Sequence, residues 1–149
     1  MEIQKTCIAL GTIMMIIALL GSLLPGGEIL PHSILSILSY FALGLILFSS
    51  GLNKRKVRAR NAALGVGVLF VFLGLGGFVF GTQGIPTHGS FRVDDKLFIL
   101  VPGVFELETL NHYMHLLFGT ILLVAFYLEK KKEDSYSRIT VYLQARKAR

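Results

Sequence analysis

Residues 62–81 read AALGVGVLFVFLGLGGFVFG, an apolar run of twenty residues without a charged side chain. A helix of that length rises about 1.5 Å per residue and covers a hydrocarbon core of about 30 Å. Three similar runs occur in the chain. The four predicted spans are Cys7–Leu24, a segment that begins between Pro31 and Ile34 and ends at Leu52, Ala62–Gly81, and Leu110–Leu128.

Composition agrees with a membrane protein. Hydrophobic residues make up 53% of the chain and charged residues 16%, against about 25% charged residues in soluble domains. The mean hydropathy is +0.65. We expect residues 1–134 to form one four-span bundle and residues 135–149 a basic cytoplasmic tail. The net charge of +6 lies at the ends of the spans, where it favours contact with membrane lipids, so nucleic acid is not an expected partner.

Basic residues are concentrated on one predicted side of the membrane. Residues 53–60 contain five Lys or Arg and no acid, and seven more basic residues follow the fourth span, whereas the other two connections contain few. Cytoplasmic loops are enriched in Lys and Arg, so the pattern predicts both termini in the cytoplasm. The basic tail after Ser135 can lie on the inner leaflet or serve as a docking segment.

The spans are similar in pairs. Leu10–Gly21 aligns with Val66–Gly77 at an offset of 56 residues, and setting Gly44 over Gly119 also brings Tyr40 over His115. This predicts a helical hairpin used twice in the same orientation. The expected fold is therefore an all-α integral membrane four-helix bundle built from two repeated hairpins.

Small residues recur at heptad spacing along the spans. They allow close backbone approach between membrane helices, where the hydrophobic effect does not drive association. We expect the first and third spans to form the centre of the bundle. The predicted helix-packing positions are Gly11, Ala18, Gly21, Gly44, Gly67, Gly74, Gly77 and Gly119.

The fourth span carries two histidines on its packing face, His112 and His115. Ionisable groups within a span are candidates for function. Their i, i+3 spacing suits two ligands of one metal ion, with Glu108 as a third, or a site for haem, a quinone or a proton. The structural alternative is that both histidines donate hydrogen bonds to Tyr40, Ser36 or Ser39 of the second span. His32 and His88 fall on the same predicted side of the membrane.

The outer connection, residues 82–109, is the longest between spans. It contains the apolar run Leu97–Val101 followed by Pro102 and Gly103, too short to cross a bilayer. We expect this run to form a short interfacial segment, as an amphipathic helix over the outer end of the bundle. A lid or a partner-docking surface is the functional alternative.

Residues 105–119 resemble the pattern F-x-V-N-x-x-H-N-x-x-H-L-L-x-G of a bacterial family of small four-span membrane proteins, the type known as domain of unknown function 4383. Phe105, His115 and Gly119 match it, as do the two leucines after His115, whereas Asn111 and His112 stand in the reverse order. The resemblance implies four spans in a bacterial cytoplasmic (inner) membrane and no established activity.

No complete catalytic, nucleotide-binding or metal-binding motif is present in the sequence. We expect a non-catalytic accessory or scaffold protein without a cofactor, which packs against other membrane protein subunits or forms a homo-oligomer. The alternative is a ligand-handling protein that uses His112 and His115 to bind a metal ion, haem or a quinone, or to relay protons. A channel or transporter is less favoured, because no charged residue marks an ion path within the spans.

Overall fold

The computed structural model describes residues 2–23, 33–87 and 93–147, with side chains in the last range described up to Tyr136. The predicted span end Leu24, the segment around Pro31 and His32, and His88 lie outside the described residues. The described elements in chain order are α1 (Ile3–Leu23), α2 (Ile34–Leu52), α3 (Lys56–Phe80), β1 (Thr82–Gly84), β2 (Asp94–Val101), β3 (Phe105–Leu107) and α4 (Thr109–Lys147).

All four helices are long and apolar enough to cross a membrane. α1 packs most extensively on α2, and α3 on α4, so the bundle consists of two hairpins. α1 and α3 also contact each other, and each of them contacts all three other helices. These two helices therefore occupy the centre of the bundle. Their facing sides bury Cys7, Met14, Ala63 and Phe70.

Glycine brings the paired backbones together in both hairpins. A Cβ atom added to Gly44 would lie 2.9 Å from the carbonyl oxygen of Gly11, and one added to Gly119 would lie 2.9 Å from that of Gly67. A Cβ on Gly11 would lie only 2.6 Å from backbone atoms of α2. Side chains at these positions would collide with main-chain atoms, which cannot rotate away. The helix axes can stay this close only while these residues are glycine.

Polar contacts join the helices at the end of the bundle that carries Lys54–Arg60, which we call the basic end. Lys56 Nζ lies 3.4 Å from Glu129 Oε1, and Arg60 pairs with Glu133. Glu129 is buried, and a buried carboxylate needs such a partner. The Cys7 thiol lies 3.4 Å from the carbonyl oxygen of Ala59, which makes it a packing residue between α1 and α3.

The opposite end, which we call the sheet end, is covered by a small antiparallel sheet in the order β1-β2-β3. The expectation of an all-α fold with a short helix in residues 82–109 is therefore wrong for this connection. Val101, Pro102, Gly103 and Val104 form a turn in which Gly103 has a φ of 71° and the Val104 N–H donates to the Val101 carbonyl oxygen. This is the backbone of a type II turn, for which proline and then glycine are suited. The turn places the apolar run Leu97–Val101 beside β3. Hydrogen bonds between the two strands satisfy the backbone groups of the run, so no helix is needed.

α4 is longer than the span expected from the sequence. It begins at Thr109 and continues to Lys147, a length of 39 residues, or about 58 Å. That is about twice the thickness of a hydrocarbon core. The basic tail is thus, as far as Lys147, a continuation of the last helix.

The glycine contacts generate a prediction about stability. Gly11→Ala should destabilise the bundle by about 1–3 kcal/mol, because the new methyl group meets the backbone of α2. The measurement is the thermal unfolding midpoint in detergent. Gly65→Ala is the matched control, since a Cβ on Gly65 meets nothing within 4 Å; alanine should be neutral or slightly stabilising there. An equal effect of both substitutions would contradict the role assigned to Gly11.

Candidate functional site

The polar side chains at the sheet end form one layer beneath and within the sheet. The layer combines the two histidines of α4 with the acids of the connection. Its members among the described residues are Ser33, Ser36, Thr87, Asp94, Glu106, Glu108, Thr109, His112 and His115. Eight of the nine are buried, lie in the sheet or are hydrogen-bonded to a group in it.

His112 fixes α4 to strand β2. Its Nε2 atom lies 2.7 Å from the carbonyl oxygen of Lys96. A carbonyl oxygen only accepts hydrogen bonds, so the proton of the ring is assigned to Nε2 and the Nδ1 atom carries a lone pair. The side chain is fully buried, and Nδ1 has no hydrogen-bond partner among the described residues.

Gly77 of α3 makes room for the His112 ring. A Cβ atom on Gly77 would overlap Nδ1 and Cε1 of His112. The lone pair of Nδ1 is therefore packed against the backbone of α3. The ring of Phe78 closes another side of the imidazole, at a centroid distance of 5.4 Å.

His115 lies one turn deeper in the bundle, in an aromatic box. It stacks on Tyr40 of α2 at a centroid distance of 5.5 Å and lies 4.8 Å from the ring of Phe70 of α3. Its Nδ1 atom is also buried without a hydrogen-bond partner among the described residues. The described contacts of His115 with α2 are thus made by ring stacking on Tyr40.

Glu106 accepts hydrogen bonds from three different segments at the sheet end. It is buried, and its carboxylate accepts hydrogen bonds from the Thr87 N–H at 2.7 Å, the Thr87 hydroxyl at 2.5 Å and the Gly103 N–H at 2.7 Å. The Glu106 carbonyl oxygen accepts from the hydroxyl groups of Ser33 and Ser36. One residue therefore ties the loop after β1, the turn before β3 and the start of α2 together.

Asp94 also accepts hydrogen bonds from another element, at the start of α4. Its carboxylate accepts from the Thr109 N–H at 3.0 Å and from the Thr109 hydroxyl at 2.7 Å. An unpaired N–H at a helix start is favourably bonded to a carboxylate, which also complements the helix dipole. Asp94 thus caps α4 from a strand that lies 15 residues earlier in the chain.

Glu108 directly precedes α4 and is partly buried. Burial, and after it the nearby carboxylates of Asp94 and Glu106, together raise its pKa from 4.5 to about 7. Both effects disfavour the charged form. Glu108 therefore changes its charge near neutral pH.

The predicted metal-binding set gains no support from the geometry. Among the described residues, no group of three or more His, Cys, Asp or Glu side chains is placed to hold a metal ion. His112 uses one ring nitrogen for Lys96 and packs the other against Gly77. The structure places Glu108 before the helix and the two histidines inside it. The assignment of His112, His115 and Glu108 as metal ligands stays a prediction.

The predicted helix-packing residues are all buried. Gly11, Ala18 and Gly21 lie on the packed face of α1, and Gly44 faces α1 from α2. Gly67, Gly74 and Gly77 lie on the packed face of α3. A Cβ on Gly74 would lie 2.9 Å from the carbonyl oxygen of His112, so this glycine permits the close approach of α4.

Sequence reasoning missed the roles of Glu106, Asp94 and Thr87. Their partners lie between 2 and 19 residues away, or 70 and 73 residues away for Ser36 and Ser33, and no periodicity connects them. The only local signal was a cluster of acids in a connection otherwise rich in turn residues. That signal is also typical of a solvated loop.

No family model, no curated protein and no solved structure matches this chain. The resemblance of residues 105–119 to a family of unknown function therefore stays a prediction. Functional inference depends on the geometry of the chain itself.

The raised pKa of Glu108 predicts a pH dependence of stability. An acid whose pKa is higher in the folded protein than its ordinary value of 4.5 binds more protons when folded, so stability falls as the pH rises from about 4.5 to about 7. Glu108→Gln should reduce this loss of stability with rising pH. The measurement is the thermal midpoint in detergent between pH 4.5 and 8, with Asp95→Asn at an exposed position of β2 as the control. An unchanged pH dependence in Glu108→Gln would contradict the assignment.

Proposed function

We propose that this chain is a non-catalytic, multi-pass membrane protein that serves as an accessory or scaffold subunit. In this proposal the four helices cross a bacterial cytoplasmic membrane, with both termini and the basic end in the cytoplasm and the sheet end outside. The partners are membrane lipids and either other membrane protein subunits or further copies of the chain.

One observation carries the proposal: many large apolar side chains on all four helices point away from the bundle. A soluble protein rarely exposes so much apolar surface, whereas lipid or a membrane partner covers it without cost. The described residues exposed in this way include Ile16 and Leu19 on α1, Leu38 and Phe41 on α2, Phe72 and Val79 on α3, and Leu117 and Tyr127 on α4.

The equivalent glycine contacts of the two hairpins support a duplicated building unit. Gly44 approaches the carbonyl oxygen of Gly11 as Gly119 approaches that of Gly67, and these are the residues that the sequence alignment of the spans pairs. A duplicated packing unit suits a structural role. It gives two similar apolar hairpin surfaces to which neighbouring subunits can bind.

The chemistry of the sheet end supports the same role. The carboxylates of Glu106 and Asp94 accept hydrogen bonds from the protein itself, and His112 donates to a backbone carbonyl. Groups engaged in this way hold the sheet on the bundle. They are poorly suited to general acid-base catalysis, which needs a group free to exchange its proton with a substrate.

The alternative function is the binding of a metal ion, haem or quinone, or a proton relay, by His112 and His115. One observation favours this alternative. The Nδ1 atoms of both rings are buried and have no hydrogen-bond partner among the described residues. A histidine that donates from one nitrogen to a backbone carbonyl and keeps the other as a lone pair is typical of metal ligands. The packing of Gly77 against Nδ1 of His112 argues against it.

The proposed topology predicts which positions are accessible from outside the cell. In a Cys7→Ala background, Asp95→Cys should react with a membrane-impermeant maleimide in intact cells. Lys54→Cys should react only after the membrane is permeabilised. Both positions are exposed in the structure, so access is limited by the membrane alone. The reverse labelling pattern would contradict the orientation.

The double variant His112→Ala, His115→Ala distinguishes the two functions. A structural role predicts a thermal midpoint lowered by several degrees, because a hydrogen bond and a set of aromatic contacts are lost, with unchanged metal content and absorbance spectrum. The control is His112→Ala alone, which keeps the aromatic box of His115. A stoichiometric metal or chromophore in the purified wild-type protein that is lost in the double variant would favour the ligand-binding alternative.

A further inference from the structure

An apolar groove runs along the outward side of α3 near the sheet end. It has a volume of about 390 Å³ and lies between α3 and strand β2. Phe72 and Phe80 lie toward its two ends on α3, and Phe98 of β2 closes it from the sheet. All of its lining residues are apolar. Gly76 forms its floor, since a Cβ at this position would meet nothing within 4 Å.

We propose that this groove binds one acyl chain of a glycerophospholipid whose phosphate contacts Lys96. The inference rests on the membrane location proposed above and adds to it a specific site and a specific class of ligand. Three features of the groove support it: its length and position, the shape of its walls, and a basic residue near the end that faces the sheet.

The length of the groove fits one leaflet. Phe72 and Phe80 are eight residues apart on a helix, or about 12 Å along its axis. One leaflet contributes about 15 Å, half of a hydrocarbon core of about 30 Å. Because α3 ends at Phe80, the groove occupies the last third of this helix. It therefore begins at the membrane surface and ends near the bilayer centre.

The walls of the groove suit a flexible chain better than a second helix. The side chains of Phe72, Val79 and Phe80 are each at least 70% exposed and project from α3. Helices in membranes associate where small residues let their backbones approach, and here large side chains would hold a second helix away. A single acyl chain can bend between the projecting rings and lie over Gly76.

The basic residue Lys96 lies near the end of the groove that faces the sheet. Side chains two residues apart in a strand share one face, so Lys96 projects on the same side of β2 as Phe98. The backbone of Lys96 also lies beside Gly81, the residue that follows α3. Lys96 is exposed, and its ammonium group has no ion-pair partner among the described residues. A phosphate at the level of the headgroups complements this charge.

The absence of tryptophan from the sequence allows a direct test by single-tryptophan fluorescence. Phe98→Trp places the reporter in the groove, and Phe41→Trp places a control on the exposed face of α2. The probe is a phospholipid with brominated acyl chains, added to each purified variant in detergent. Phe98→Trp should be quenched saturably, at about one lipid per chain. Phe41→Trp should be quenched only in proportion to the lipid content of the micelle.

Two further substitutions in the Phe98→Trp background test the details. Gly76→Leu fills the floor of the groove and should abolish the saturable quenching, while Gly65→Leu, also at an open position on α3, should leave it unchanged. Lys96→Gln should weaken the apparent affinity about fivefold, the effect expected of one basic side chain near a phosphate. Lys96→Arg should keep it. Circular dichroism and elution volume check that each variant remains folded.

Several results would overturn the proposal. Equal, unsaturable quenching at both tryptophan positions would show that only bulk lipid covers the groove. Saturable quenching that survives Gly76→Leu would place the lipid elsewhere. A disulfide between chains of Val79→Cys in a Cys7→Ala background would show that a second copy covers this face. Flotation of the wild-type protein with vesicles tests the membrane location separately, so failure of the groove proposal can be told from failure of the proposed function.

Discussion

Close backbone contact within each hairpin is the constraint on which the rest of the structure depends. Gly11 and Gly44 allow α1 and α2 to touch through main-chain atoms, and Gly67 and Gly119 do the same for α3 and α4. Helices packed in this way make many van der Waals contacts, which must supply the association energy where lipid surrounds the protein. Many large apolar side chains face outward, while others such as Phe70 and Leu122 fill the core.

The same close packing decides what the sheet end can do. Gly77 brings α3 against the ring of His112, whose N–H is then directed at the carbonyl oxygen of Lys96. The sheet is held from both sides. His112 and Thr109 of α4 bind Lys96 and Asp94 of β2, and Glu106 of β3 binds the start of α2. A buried network in which each carboxylate is satisfied by local donors makes a rigid cap. Glu108 is the acid in this layer whose pKa is raised to about 7.

The two ends of the protein are held together by different kinds of interaction. The basic end joins α3 to α4 through Lys56 and Glu129, in the region where the charge pattern predicts the cytoplasm. The sheet end joins its elements through uncharged donors and buried acids, and its strand β2 extends the apolar outer surface of α3 through Phe98. The proposed accessory role, with lipid or subunits along the sides and a fixed cap at one end, accounts for these features together.

The sequence alone determined the presence of four long apolar helices and their approximate bounds, except for the extension of α4 to Lys147, because twenty apolar residues without a charge have few other stable arrangements. It also determined which faces carry small residues, since that follows from helical periodicity. Only the tertiary structure decided that Leu97–Val101 is a strand, because five apolar residues suit either a helix or a strand until a partner such as Phe105–Leu107 is in place. It alone also decided the roles of Glu106, Asp94 and His112, since each acts on groups from another element, and local sequence carries no signal for a partner that folding brings near.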